Sequence, residues 1–152
     1  MNRSQLVLAA LLCGGTASLC SATPQHYSNA ESLPFSEAVQ VGDMLYLSGQ
    51  IGVVPGTGKL VAGGIDAEAR QTMENIGGIL QRRGLTFDAV VKCTVMLGDI
   101  KDWPAFNAVY VGYFKPDRMP ARSAFAASGL AYNGKVEVEC WAYNPIKKPP
   151  RR

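Results

Sequence analysis

Lys135-Val136-Glu137-Val138-Glu139-Cys140-Trp141-Ala142 decides the fold of this chain, because an apolar side chain occupies every second position from Val136 onward. Such alternation predicts a β-strand with one buried face. That face requires a covering layer, and helices packed on one side of a sheet are an economical solution. The opposite face carries Glu137, Glu139, Trp141 and Tyr143, and large exposed aromatic side chains usually indicate a partner surface.

One charged residue lies in the apolar strand that precedes this one. Met119-Pro120-Ala121-Arg122-Ser123-Ala124-Phe125-Ala126-Ala127 contains no other charge. A guanidinium does not lose its proton, so its burial requires an anion from the protein or from a ligand. The residues alone leave two interpretations of Arg122 open. It forms an ion pair with Glu137 or Glu139, across strands or subunits, or its planar donors bind a small carboxylic acid in two hydrogen bonds.

Strand patterns recur along the rest of the chain. Five segments have the alternation or composition of strands: residues 37–41, 44–51, 89–97, 121–127 and 135–143. Gly42-Asp43 predicts a tight turn between the first two, and Asn133-Gly134 predicts a hairpin between the last two.

Two other segments repeat apolar residues with the period of a helix. Asp66 is the predicted cap of the first helix and Gly84 its end, and Asp102 and Pro116 have the same roles in the second. The second helix has an apolar face formed by Phe106, Val109, Tyr110 and Tyr113. The order ββαβαββ predicts an α+β fold, with one sheet covered by two helices on one face, in a single domain over residues 23–152.

The N-terminal segment has a different composition. A basic start at Arg3, an apolar run over residues 6–12 and small residues over 18–22 are typical of a secretory signal peptide, with cleavage expected after Ala22. The apolar run is too short to span a bilayer. A lipoprotein site at Cys20 is the alternative, although Leu19 is bulky for the position before such a cysteine. We therefore expect export to the periplasm or secretion, with no membrane association after cleavage.

Composition limits the partners of the mature chain. With 152 residues, 47% of them hydrophobic, the chain can build one core. Loss of Arg3 lowers the formal charge from +3 to +2, which is too mild to favour nucleic acid. The basic, proline-containing tail from about residue 145 is expected to be solvated. No Cys/His cluster has metal-ligand spacing, and His26 is expected to be a loose terminal residue.

Two cysteines remain beyond the predicted signal peptide. Cys93 and Cys140 both occupy the apolar positions of their strands, so the default interpretation is two buried small hydrophobic side chains. A disulfide is chemically allowed in an oxidising compartment, and sequence spacing does not decide between the two states.

Three motifs together resemble the Rid family, the reactive-intermediate imine deaminases. They are Leu47-Ser-Gly-Gln-Ile-Gly52, Pro120-Ala-Arg-Ser123 and Val136-Glu-Val-Glu139, and the resemblance runs from about Leu33 to Asn144. It implies a chorismate-mutase-like fold with a single mixed sheet. It also implies a homotrimer with three sites in the clefts between subunits.

The resemblance further implies hydrolysis of 2-imino acids, such as 2-iminopropanoate, to 2-oxo acids and ammonia, without a metal or an organic cofactor. Arg122 falls on the position that holds the substrate carboxylate, and Glu137 falls on the position that directs a water. The other implied substrate-binding residues are Phe35, Ser48, Gly49, Asn107 and Ala124.

Two residues depart from the family pattern. Ala124 stands where many relatives have Cys, and Phe35 stands where others have Tyr, so substrate preference is expected to differ.

Two alternative functions stay open, a non-enzymatic ligand-binding or chaperone-like scaffold and a ribonuclease. The mild charge and the lack of a His or Lys pair near Arg122 argue against RNA cleavage.

Overall fold

The structure, a computed structural model, describes residues 23–28 and 33–145. The predicted signal peptide (1–22) and residues 146–152 of the predicted basic tail lie outside the described residues. The strands are β1 Gln25–Ser28, β2 Ser36–Val41, β3 Met44–Leu47, β4 Gln50–Ile51, β5 Val53–Val54, β6 Lys59–Leu60, β7 Val90–Leu97, β8 Ala121–Ala126 and β9 Val136–Tyr143. The helices are α1 Gly64–Arg82 and α2 Trp103–Tyr110. Within this part of the chain, neither helix combines the length and apolar character needed to cross a membrane.

One mixed sheet carries the fold. Its strands lie in the order β1-β2-β3-β9-β7-β8, and β4 pairs with β9 just beyond the pairing of β3. β7 and β8 are parallel, connected through α2, whereas the other pairs of this sheet are antiparallel. α1 and α2 contact each other and pack on one face of the sheet. The predicted α+β fold is confirmed, and the structure adds β1 and the small hairpin β5–β6 to the predicted order.

The predicted hairpin at Asn133-Gly134 is wrong. β7 lies between β8 and β9, so residues 127–135 connect two strands that are not neighbours. The parallel β7–α2–β8 unit places β8 at the edge, whereas β9 has an entirely apolar inner face and occupies the centre between β3 and β7. Asn133 has a φ of 57°, but Gly134 has a φ of −60°, so the pair does not form the turn that joins adjacent strands.

Two predictions near the N-terminus are also corrected. His26 is not loose, because it pairs with Val39 inside β1 and its Nδ1 lies 3.4 Å from the Ser36 hydroxyl. The strand predicted over 44–51 is interrupted at residues 48–49. Tyr46 pairs with Trp141, and Gln50 pairs with Val138. Between these two pairs the segment from β3 to β4 contains one residue more than β9, and the extra residue forms a bulge.

The helix ends match the predicted ones at Asp102 and Gly84 and differ at Asp66 and Pro116. α1 begins at Gly64, so Asp66 lies in its first turn and is not its cap. Asp102 does occupy the cap position of α2, but its side chain forms no capping hydrogen bond there. Gly84, with a φ of 70°, follows the end of α1 as predicted. α2 ends at Tyr110, before Pro116, because a 3-10 turn follows it directly.

The two faces of β9 behave as the alternation predicts. Its inner side chains are fully buried against the helices: Val136, Val138, Cys140 and Ala142. On the other face Trp141 is 40% and Tyr143 50% exposed, and Tyr46 packs edge-on against Trp141 with ring centroids 5.1 Å apart. We call the side of the sheet that carries Glu137, Glu139, Trp141 and Tyr143 the open face.

Cys93 and Cys140 are joined in a disulfide. Both are buried as predicted, but the default interpretation of two free thiols is wrong. The physical reason is the register, because β7 and β9 place these two residues directly opposite each other, with Cα atoms 4.2 Å apart. The bond therefore joins two central strands across the buried face of the sheet.

Candidate active site

Arg122 lies on β8, the edge strand, and its side chain points to the helix face of the sheet. It is in register with the buried Cys93 of β7, and its guanidinium carbon lies 4.8 Å from the centre of the Tyr110 ring on α2. Among the described residues, no carboxylate forms an ion pair with it, so the predicted alternative of an ion pair with Glu137 or Glu139 is not found within the chain. Its hydrogen-bond donors are therefore available to a ligand.

α2 brings two more polar groups to this region. The side-chain amide oxygen of Asn107 and the Tyr110 hydroxyl are buried without a hydrogen-bond partner among the described residues. They lie three positions apart on one helix, which makes them neighbours on its surface. An unsatisfied buried polar atom is destabilising by about 1–3 kcal/mol, so the side-chain oxygen of Asn107 is suited to accept a hydrogen bond from a ligand.

Ala124 continues the helix face of β8. It lies two positions after Arg122, pairs with Val95, and packs partly buried against the core. Because the side chain of Ala124 is a methyl group, it occupies little of the space next to Arg122. Arg122, Asn107, Tyr110 and Ala124 together form what we call the arginine cluster.

Glu137 lies on β9, on the open face, where it pairs with Ile51 of β4 and with Met96 of β7. Partial burial raises the pKa of its carboxyl, and the nearby Glu139 carboxylate adds to the rise. Gly49, in the bulge after β3, lies against it. A side-chain carbon at position 49 would overlap Oε1 of Glu137, so the close approach requires glycine.

The remaining predicted residues lie near the start of the sheet. The Ser48 hydroxyl donates to the backbone oxygen of Ser36 at 2.7 Å, and the Ser48 N–H donates to the oxygen of Glu37, so its donors tie the bulge to β2. Phe35 precedes β2 and is about half exposed. Glu137, Gly49 and Ser48 form what we call the glutamate cluster.

The structure brings the predicted residues other than Phe35 together in two groups and not in one. The register of β8, β7 and β9 directs Arg122 toward the helices and Glu137 toward the open face. Two surface hollows are lined by other residues, one around Gln40 and Asn144 and one of about 280 Å³ around Asp102 and Lys135. The two clusters therefore lie on opposite faces of the sheet.

Sequence reasoning missed Tyr110 as a candidate site residue. The periodicity correctly placed it on the apolar face of α2, and it is almost fully buried. Its spacing of three from Asn107 was the available signal.

A metal site is not evident, since no three His, Cys, Asp or Glu side chains converge anywhere in the described ranges. The predicted independence from cofactors stays a prediction.

The mixed sheet and the two helices on one face define an α+β protein of the chorismate-mutase-like type, with Arg122 on β8 and Glu137 on β9. The model of the endoribonuclease L-PSP family matches residues 27–144. The chain belongs to this family, which includes the Rid proteins, and the predicted membership is confirmed.

Curated relatives and solved structures support the same assignment. The chain is 47% identical over 109 residues to the 2-iminobutanoate/2-iminopropanoate deaminase of Capra hircus and 44% identical to that of Homo sapiens. Each match covers 72% of this chain and 79% of the relative. The crystal structure of RidA from the Antarctic bacterium Psychrobacter is 35% identical, with a TM-score of 0.70 over 81% of this chain and 98% of that one.

Proposed function

We propose that this protein is an enzyme that hydrolyses reactive 2-imino acids, such as 2-iminopropanoate, to 2-oxo acids and ammonia. The observation that carries the proposal is Arg122, a half-buried guanidinium with no carboxylate partner in the described chain. An anionic ligand satisfies such a group, and a carboxylate fits its planar donors in two hydrogen bonds. The names of relatives with 44–47% identity supply the substrate class.

Arg122 would hold the substrate carboxylate and so fix the adjacent C=N carbon in place. The side-chain amide oxygen of Asn107 accepts no hydrogen bond from the described residues. It would accept one from the protonated imine nitrogen. With carboxylate and nitrogen both bound, the electrophilic carbon has a fixed face toward the attacking water.

Glu137 would orient that water and take its proton as the oxygen bonds to the imine carbon. The C=N bond becomes a C–N single bond in the resulting carbinolamine. Glu137 then returns the proton to nitrogen, and the C–N bond breaks to release ammonia. The hydroxyl loses its proton to the regenerated Glu137 carboxylate as it becomes the carbonyl of the 2-oxo acid, and this proton leaves with ammonia as ammonium. The raised pKa of Glu137 suits a group that both accepts and donates a proton during the reaction.

A second part of the proposal is a homotrimer whose sites combine the arginine cluster of one chain with the glutamate cluster of the next. The opposite directions of Arg122 and Glu137 support it. The exposed rings of Tyr46, Trp141 and Tyr143 on the open face also support it, because interface cores are enriched in aromatic side chains. Phe35, which is also exposed, would wall the site from the neighbouring chain.

A third part is export to the periplasm or beyond, with cleavage after Ala22. The sequence layout of residues 1–22 supports it, and so does the Cys93–Cys140 disulfide, because disulfides persist mainly in oxidising compartments. Cell fractionation with N-terminal sequencing tests it. A mature N-terminus near Thr23 in the exported fraction is expected, and an uncleaved chain in the cytosol would contradict export.

The test of activity follows imine loss after an amino-acid oxidase generates 2-iminopropanoate. Arg122→Ala should lower kcat/KM at least ~100-fold, which corresponds to about 2.7 kcal/mol of barrier. The matched control is Arg118→Ala, an exposed arginine four positions earlier that contacts Asp88, and it should change little. Imine loss no faster than in buffer would contradict the proposal. RNA cleavage that is insensitive to Arg122→Ala would then favour the ribonuclease named in the family description.

A further inference from the structure

Tyr110 forms the surface on which the Arg122 side chain rests. The guanidinium carbon lies over the ring, 4.8 Å from its centre, and Tyr110 itself is only 1% exposed. Phe106 and Phe114 pack against the same ring, with centroids 5.4 and 4.8 Å away. The ring is therefore held by the core, and a cation over its face is attracted to it.

This arrangement determines which part of Arg122 stays available. The N–H groups of a guanidinium lie in its plane, so contact between its face and a ring leaves them able to donate. A carboxylate in place of the ring would hold Arg122 equally firmly, but it would occupy the donors that a substrate needs. An aliphatic side chain would leave those donors available without attracting the cation.

We propose that Tyr110 is a positioning residue, whose ring holds the Arg122 guanidinium so that its two-donor edge meets the carboxylate of the substrate. The inference rests on the proposed function and assigns a part of the same site to a residue outside the family motifs. The ring, and not the hydroxyl, does the positioning.

The ionisation state of Tyr110 agrees with this role. Burial raises the pKa of Tyr110 to about 12, although the nearby Arg122 opposes the rise. The side chain is therefore neutral at physiological pH. A phenolate would attract the guanidinium directly and compete with the substrate carboxylate for it.

Three variants test the inference: Tyr110→Phe, Tyr110→Leu and Phe114→Leu. Tyr110→Phe keeps the ring, and Tyr110→Leu removes it. Phe114→Leu removes an aromatic side chain that packs against Tyr110, while the ring under the Arg122 guanidinium is kept, so it controls for lost packing. The measurements are kcat and KM for 2-iminopropanoate, the Kd of the carboxylate probe 2-oxobutanoate by calorimetry, and Tm.

Tyr110→Leu should raise KM and the Kd of 2-oxobutanoate about 10-fold, equivalent to about 1.4 kcal/mol. It should change kcat far less, because the ring acts on carboxylate binding. Tyr110→Phe should restore both constants to near the wild-type values. Phe114→Leu should lower Tm as Tyr110→Leu does and leave the Kd unchanged.

Equal weakening of carboxylate binding by Tyr110→Leu and Phe114→Leu would overturn the inference, because lost packing would then explain both. Weakening by Tyr110→Phe as large as that by Tyr110→Leu would overturn it too, because the hydroxyl would be the active part. A wild-type protein that binds 2-oxobutanoate without hydrolysing imines would overturn the proposed function instead, and the Kd values would still decide the role of Tyr110.

Discussion

Arg122 and Glu137 point to opposite faces of the same sheet, Arg122 toward α2 and Glu137 toward the open face. In the proposed trimer they act on one substrate from two different chains. Arg122→Ala and Glu137→Gln should then each be inactive alone and regain activity when their subunits exchange. In a closed symmetric ring, an equal mixture should recover about one quarter of the wild-type rate, because one site in four combines two intact residues.

Native mass spectrometry should accompany that mixing experiment, since it shows whether mixed oligomers have formed. Mixed oligomers without recovered activity would mean that both residues serve the site of a single chain. The unmixed variants, treated in the same way, are the controls.

Arg122→Lys should lower kcat/KM about 30-fold, or about 2 kcal/mol, although the charge is kept. A lysine offers a compact charge without the planar pair of donors, so the carboxylate loses its fixed orientation. Steady-state kinetics on 2-iminopropanoate measures the effect. Activity close to that of the wild type would contradict binding of the substrate carboxylate by Arg122 through two hydrogen bonds.

The acid limb of the pH–rate profile should report Glu137. Hydrolysis requires its carboxylate, so kcat/KM should fall as pH drops through a pKa above the usual 4.5. Glu139→Gln removes the smaller cause of the rise and should move the limb to lower pH, while burial, the larger cause, keeps it above the ordinary position. A limb that Glu139→Gln leaves unmoved would indicate that another group titrates.

Gly49→Ala should damage the site through sterics. Its new side-chain carbon would overlap Oε1 of Glu137, so the carboxylate or the bulge must move, with an expected loss of at least ~10-fold in kcat/KM and about 1–3 kcal/mol of stability. Gly112→Ala is the matched control, because a carbon added there meets nothing within 4 Å. Full activity of Gly49→Ala would show that Glu137 works from a different position.

The disulfide should dominate the response of the mature chain to reductant. Protein that begins at Thr23 contains only Cys93 and Cys140, so thiol titration of the denatured, non-reduced protein should find no free thiol. Reduction opens a cross-link over a separation of 47 residues and should lower the free energy of unfolding by about 4 kcal/mol on the chain-entropy model. The Cys93→Ala/Cys140→Ala variant should be insensitive to reductant. Two titratable thiols in exported protein would contradict the bond.

Local patterns in the sequence were enough to predict most elements and the direction of β9. Alternation and helical period depend on which side chains must be buried together within one strand or helix, and neighbouring residues specify this. The buried residues of β9 and the apolar face of α2 followed directly. The cap of α1 and the split of the strand at Gly49 did not, because competing local geometries are separated by small energies.

The pairing of distant segments was decided only by the tertiary structure. Asn133-Gly134 has the composition of a hairpin turn, yet β9 inserts between β3 and β7, because burying its apolar face in the centre of the sheet outweighs the local turn preference. The same register brings Cys93 opposite Cys140 and Arg122 over Tyr110. The sequence by itself thus determined the fold class, the family and most of the candidate site residues. Which of them meet was determined by strand order and register, since those depend on contacts between residues far apart in the chain.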